Sequence, residues 1–377
     1  MAVKPAPVYF RYIEGMRGLG ALYVFLAHLA SDTFSPSGPL AQFRAVALAS
    51  CYPAYFMIAV FLVVSGYCLS YPIALAGRRI KLRKFARRRF FRLYPAYLAA
   101  LLLSLPGFYL SDAIVAHYVP VLSHVLPVFV LHLLMLHNLT AKTSGYFNVA
   151  FWSIALEVQV YFVFALVMIP LWQRFGAGVQ CLVAIVLGLI PHFLFHGFLD
   201  WTRPWQLGLF GMGVWAADIT ASGASKKIPW KTLAVIAAIV SFALNIHDEY
   251  KDTPILADEM TGLSAALFLV AASLHGREWL PARIFAWRPF EWLGTFSYSL
   301  YLVHGTVIDL TISLLTALGV GLVPWAASWA VAVPIAVLVS YAFFRVFEEP
   351  FVSSGLKRAT AHALENPSEP LVVAIGS

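Results

Sequence analysis

The sequence predicts an all-α polytopic membrane protein, with about ten transmembrane helices and both termini in the cytoplasm. Three observations predict it. The 377 residues are 61% hydrophobic and 12% charged, with a mean hydropathy of +0.79, whereas a soluble chain is about 45–50% apolar and about 25% charged. Ten segments approach the roughly 20 mostly apolar residues that crossing hydrocarbon requires. With the N-terminus inside, 20 of the 26 Lys and Arg fall in cytoplasmic loops and 4 outside (Arg44, Lys142, Arg203, Lys251), a strong positive-inside bias. An odd number of spans would spoil that asymmetry.

The expected spans lie near 12–33, 51–73, 90–110, 149–171, 179–199, 204–221, 229–246, 259–275, 293–315 and 323–346. Polar or Pro/Gly-rich breaks separate them: "SPSGP" at 35–39, "SGASKKIP" at 222–229, the acidic "HDEYKDTP" at 247–254 and "HGREWLPARIFAWRP" at 275–289. The first span lacks a small-residue cleavage site and is expected to stay in the membrane. The stretch 111–148 is apolar but broken by Pro120 and Pro127. It reads as short interfacial or re-entrant helices on the outer side. Its His117, His124, His132 and His137 either line an acceptor entrance or sit at the interface. Residues 1–352 are expected to form a single transmembrane domain and 353–377 a short cytoplasmic tail.

Composition also excludes function classes. The net charge of +8 sits in short loops where orientation requires it, so no nucleic-acid partner is expected; membrane lipids are. Cys51, Cys68 and Cys181 are scattered among apolar residues and read as packing groups. His192 and His196 have helical i, i+4 spacing, but no carboxylate or cysteine is near them in sequence. No metal site is expected.

The chemistry begins in "EGMRGLGALYVFLAH", residues 14–28. Ionisable groups in a span are costly and mark function by default. Arg17 and His28 are eleven residues apart, three helical turns plus about 20°, so they share one face and lie roughly 16 Å apart along the axis. Glu14 is one turn before Arg17 and can pair with it. Histidine titrates near neutral pH, which suits His28 to proton transfer.

Nine cations from Arg78 to Arg92 form a basic loop on the cytoplasmic side. Orientation and anionic lipid head groups explain several. The excess suits phosphates, which guanidinium forks grip bidentately; Arg89, Arg92 and Arg88 are the candidates. Glu157 lies in mid-span, placed either to hydrogen-bond Gln159 or Trp152 or to orient His28 or an acceptor hydroxyl. Ser65 reads as a small residue at a helix crossing before it reads as a nucleophile. His304 follows Tyr298 and Tyr301 and serves either site or structure. Arg345, Glu348 and Glu349 read as a salt-bridged helix end.

These motifs, in order, resemble the membrane acyltransferase-3 family of integral-membrane O-acyltransferases. The arginine–ten–histidine pattern of Arg17 and His28 is similar to that family's first span, and "VFLVVSGY" at 60–67 to its second. "RRRFFRLYP" at 87–95 resembles its arginine-x-x-arginine loop, here Arg89 and Arg92. "FWSIALEVQVYF" at 151–162 resembles its tryptophan-serine-x-x-x-glutamate span, here Trp152 and Glu157, and "FSYSLYLVH" at 296–304 and "FEEPF" at 347–351 resemble its last two spans.

The resemblance implies transfer of an acyl group, acetyl above all, from cytoplasmic acetyl-CoA or another acyl-CoA to a hydroxyl of a saccharide, glycolipid or small lipophilic acceptor. In this reading His28, Arg17 and Glu157 are catalytic and His28 is the general base. Arg89, Arg92 and Arg88 hold the donor phosphates, and Trp152, Ser65, His304 and Tyr298 line the substrate. A bacterial inner or plasma membrane is the expected location. The rival reading is a transporter or flippase of lipid-linked saccharides. It predicts internal repeats and broken helices, which the sequence does not display.

Overall fold

A computed structural model describes residues 10–33, 54–111, 122–246, 254–318 and 325–351. Among these the chain is helical, without strands, and seven helices are long and apolar enough to cross a membrane. The expected break at 35–39, the acidic loop 248–252, Arg44, Cys51, His117, Lys251 and the tail 353–377 lie outside the described residues.

A helix stands at each of the ten expected spans. They are α1 (Arg11–Thr33), α2 (Ala54–Leu75) and α3 (Leu82–Ser111), then, after the short α4 (Leu122–Leu133), α5 (Phe151–Phe175), α6 (Ala177–Leu194), α7 (Gln206–Ala221), α8 (Trp230–Ile246) and α9 (Ile255–His275). The short α10 (Leu280–Phe285) and α11 (Arg288–Thr295) precede α12 (Ser297–Ala317) and α13 (Trp325–Phe343). Three of the ten are not among the seven span candidates: α1, which carries its ionisable groups, α7, with 16 residues, and α8, with 17. The expected interfacial stretch contains α4, a single 3-10 turn at His137–Leu139 and a one-turn helix at Ala141–Ser144.

One boundary departs from expectation with consequences. The basic "loop" is not a loop: α3 begins at Leu82 rather than near residue 90. Arg, Lys, Leu and Ala are good helix formers and no proline intervenes before Pro95, so six of the nine cations, Arg83 to Arg92, wind into the first turns of the helix. The winding sorts them. Arg83, Lys84, Arg87 and Arg88 face outward, while Arg89 and Arg92 turn toward the bundle.

The bundle is drawn together by small residues at helix crossings, the usual device where lipid supplies no hydrophobic contrast. α2 and α7 pack most intimately. A Cβ at Gly66 would stand 2.3 Å from the Phe210 carbonyl oxygen, and one at Gly213 2.2 Å from that of Val63. α1 is seated the same way against α11: a Cβ at Gly18 would lie 2.3 Å from the Phe290 carbonyl oxygen, and one at Gly294 2.2 Å from that of Glu14. This second crossing fixes the first turns of α1, and with them Arg17.

The bundle is also tied by Asp258 of α9. Its buried carboxylate accepts from Arg203 at 3.2 Å and from the indole of Trp205 at 2.8 Å. At the basic end, Arg78 bonds both carboxylate oxygens of Asp218 at 3.0 and 3.1 Å and lies over Trp172. One of the nine cations is therefore a structural tie between the α2–α3 turn and α7.

Candidate active site

Glu157 organises the site from α5. Its Oε1 accepts from Ser65 Oγ of α2 at 2.8 Å and from Tyr161 Oη, one turn further along α5, at 2.5 Å. The two hydroxyl oxygens are 2.8 Å apart, so three oxygens meet in a triangle between α2 and α5. The expected partners of Glu157 were otherwise: Gln159 is turned away, bonded to Asn138 and to the Met135 carbonyl, because 100° per residue puts it on a different face. Ser65 is a hydrogen-bonding group rather than the crossing residue, a role that falls to its neighbour Gly66.

This triangle forms part of the wall of a cavity that is partly open to solvent. Arg17, Arg89 and Arg92 line the same wall, with Cys68, Ser153, Tyr298 and Tyr301. Arg89 also lies over the Tyr161 ring, 5.9 Å from its centroid, within cation–π range. Arg17 pairs with Glu14 at 3.7 Å, as its spacing predicts. Three guanidinium groups against the single carboxylate of Glu157 give the wall an excess of positive charge. Such a wall attracts anions, and the paired forks of Arg89 and Arg92, three residues apart on one helix face, can grip a phosphate.

The wall is held rigidly. Tyr298 Oη donates to the Leu93 carbonyl at 3.0 Å, tying α12 to α3 beside Arg92. Tyr301 Oη and Ser153 Oγ are 2.6 Å apart, tying α12 to α5. Ser299 Oγ donates to the buried Glu348 at 2.5 Å. The salt bridge expected at the end of the last span is made by Arg345 and Glu349 at 2.6 Å, not by Glu348. Glu348 sits in a π turn, Phe344–Glu348, which rotates it off the outward face.

Of the residues expected from sequence, Arg17, Ser65, Arg89, Arg92, Glu157 and Tyr298 line one cavity. Arg88 is exposed and outside it; Trp152 is buried in the hydrophobic core and is not in the wall. His28 and His304 are not in the wall either. They form a pair, Nδ1 of His28 to Nε2 of His304 at 2.8 Å, next to Tyr301, whose ring centroid is 5.7 Å from that of His304. Sequence reasoning names Tyr301 beside His304 and carries Ser153 within the tryptophan-serine motif, but gives neither of them, nor Tyr161, a site role. A signal was present for two of them: Ser153 and Tyr161 lie four residues either side of Glu157, on its helical face.

Four other histidines lie outside the cavity wall. His132 and His137 are fully buried and face each other with ring centroids 3.9 Å apart, His132 Nδ1 bonding the Val128 carbonyl at 2.8 Å. The expectation that His192 has no carboxylate near it in sequence is wrong: Asp200, eight residues on, reaches back to its Nδ1 at 2.7 Å. His196 lies beyond the end of α6 at φ 51°, so the i, i+4 helical pair does not form. No cluster of three metal-ligating side chains occurs among the described residues.

No match was found among curated proteins or among solved structures. Residues 10–345, nearly the whole chain and all the residues of the site just described except Glu348 and Glu349, match the family described as an acyltransferase domain, and the chain belongs to that acyltransferase family.

Proposed function

We propose that the chain, an acyltransferase, is an integral-membrane O-acyltransferase. It takes an acyl group, acetyl in the simplest case, from cytoplasmic acyl-CoA and gives it to a hydroxyl of a saccharide, glycolipid or small lipophilic acceptor. The observation that carries this reading is the convergence of Arg17, Arg89 and Arg92 with the Glu157–Ser65–Tyr161 triangle on one cavity. The ten helices are taken as ten spans with both termini inside, in a bacterial inner or plasma membrane; the sequence asymmetry of lysine and arginine supports that orientation.

In this reading Arg89 and Arg92 hold the donor phosphates, and the long arm of coenzyme A covers the roughly 16 Å of α1 between the level of Arg17 and that of His28. His28 takes the proton of the acceptor hydroxyl through a bare imidazole nitrogen. The oxygen attacks the thioester carbon, the C–S bond breaks, and the departing coenzyme A thiolate takes the proton back from the imidazolium. Arg17 offers positive charge to the donor or to the developing oxyanion. Glu157, held by two hydroxyl donors, orients the acceptor. No metal enters the scheme.

The test is incubation of purified protein with labelled acetyl-CoA and a panel of hydroxylated acceptors, read by mass spectrometry, with His28→Gln in parallel. A general base contributes about 10²–10⁴-fold. His28→Gln retaining more than about a tenth of the wild-type rate excludes the base role. No acyl transfer to any acceptor, with acetyl-CoA unbound, removes the donor assignment as well.

A further inference from the structure

The proposed base is held by a second histidine, and the hydrogen bonds between them fix where each proton sits. His304, fully buried in α12, has its Nδ1 3.2 Å from the carbonyl oxygen of Leu300, one turn earlier. A carbonyl only accepts, so Nδ1 of His304 carries the hydrogen. In a neutral imidazole the other nitrogen is then a bare acceptor. That nitrogen, Nε2, is 2.8 Å from Nδ1 of His28, so Nδ1 of His28 must be the donor. The remaining nitrogen of His28, Nε2, is left with its lone pair.

Ring geometry supports the chain of donors. The two imidazole planes are within 5° of parallel and their centroids are 5.1 Å apart. With nitrogens 2.8 Å apart, that separation leaves about one ring radius on either side of the contact. The rings therefore lie edge to edge in a common plane rather than face to face, with the N–H of one aimed along the lone pair of the other. His304 is held in turn by Phe25, edge-on at 6.2 Å, and by Tyr301 at 5.7 Å. Tyr301 is itself tied to Ser153 in the cavity wall.

We infer that His304 is a positioning residue. Through the Leu300 carbonyl it selects the Nδ1–H tautomer of His28 and presents Nε2 of His28 as the base. When Nε2 takes a proton, the imidazolium keeps its Nδ1–H bond to His304, which becomes charge-assisted and stronger. The arrangement does with a neutral imidazole and a backbone carbonyl what a carboxylate does behind the histidine of a hydrolase triad. The catalytic consequence rests on the proposed role of His28; the tautomer assignment does not.

The experiment separates the two. Protein labelled with ¹⁵N-histidine, in detergent or lipid, is examined by nitrogen NMR near neutral pH, with the His28 and His304 signals identified by their loss in His28→Gln and His304→Gln. Both residues are expected as Nδ1–H tautomers with bare Nε2. An Nε2–H signal for His28 in the wild type overturns the inference, whatever the base role. Should the tautomers be as stated and His28→Gln transfer acyl groups normally, the base role falls and the assignment stands.

In the transfer assay His304→Phe, which fills the space but accepts no hydrogen bond, is expected to lose at least about tenfold. His304→Gln, whose carbonyl oxygen can accept from His28, is expected to exceed phenylalanine by about that factor. Equal rates for the two variants overturn the positioning role. Where a His304 variant fails to fold, the His28 signal, identified through His28→Gln, decides alone.

Discussion

Ser65 of α2 donates to Glu157 of α5 across the helix interface at 2.8 Å, while Tyr161 donates to the same carboxylate oxygen from within α5. The carboxylate is therefore held from two helices, and a serine that sequence offers as a nucleophile has its proton engaged in positioning. Ser65→Ala removes one of two donors. A typical hydrogen bond is worth about 1 kcal/mol net, so transfer is expected to fall by less than about tenfold. Tyr161→Phe is expected to behave similarly, and the double variant to lose more than the product of the two, since no donor then remains. Initial rates with labelled acetyl-CoA measure this. Complete loss in Ser65→Ala, with thermal stability unchanged, would identify Ser65 as a nucleophile instead.

The first turns of α3 separate cations by face, and donor binding is expected to follow. Arg89 and Arg92 line the cavity; Arg88, immediately before Arg89 in sequence, is exposed. A hydrogen bond to a charged group contributes about 1.5–3 kcal/mol, so Arg89→Ala and Arg92→Ala are each expected to weaken coenzyme A binding by about tenfold or more. Arg88→Ala is expected to stay within about threefold, as surface charges contribute 0–1 kcal/mol. Calorimetric titration with coenzyme A gives all three constants. Three equal affinities would remove the α3 pair from the phosphate site.

Much of this was legible in the sequence because hydrocarbon is a demanding solvent. Length and hydropathy place a helix at every expected span, and charges that survive there advertise themselves: Arg17, Glu157 and His28 stand out against apolar neighbours. The misses have a common cause. Charge density around residues 78–92 masked good helix propensity, so the start of α3 was placed too late, and Arg88 was grouped with neighbours that face the other way. The partners of Glu157 were sought at Gln159, two residues on, and Trp152, five back, when helical geometry favours the fourth residue on. The pairing of His28 with His304, 276 positions apart, depends on how α1 packs against α12, which no local pattern encodes. The turn that returns Asp200 to His192 is likewise a matter of backbone geometry, at positive φ in His196, Gly197 and Leu199.

The α2–α7 crossing predicts a stability contrast. A methyl at position 213 has the Val63 carbonyl oxygen 2.2 Å away and the Tyr67 amide nitrogen 2.8 Å away. Both are backbone atoms of a packed helix and cannot step aside cheaply. Gly213→Ala is expected to cost about 1–3 kcal/mol through overpacking, visible as a lower unfolding midpoint in detergent. Gly178 is the control. A Cβ there meets nothing within 4 Å, and alanine is the better helix former by about 1 kcal/mol, so Gly178→Ala is expected to be neutral or stabilising.

Orientation is the remaining premise of the donor assignment, and exposed lysines on the described helices and turns allow it to be tested. Lys142 follows the 3-10 turn between α4 and α5, and Lys227 lies between α7 and α8; both are exposed. The bias of basic residues puts Lys227 with the cytoplasmic majority and Lys142 among the few outside. The same bias puts Arg89 and Arg92 at the cytoplasmic end, where acyl-CoA is available. Single cysteines are placed at each position in a background with Cys51, Cys68 and Cys181 replaced by alanine. In intact cells Lys142→Cys is expected to react with an impermeant maleimide and Lys227→Cys only after the membrane is opened. The reverse pattern would put the guanidinium wall on the side without acyl-CoA. Arg89 and Arg92 would then have to be reassigned to an anionic acceptor, and the entry of the donor sought at the opposite end of the bundle.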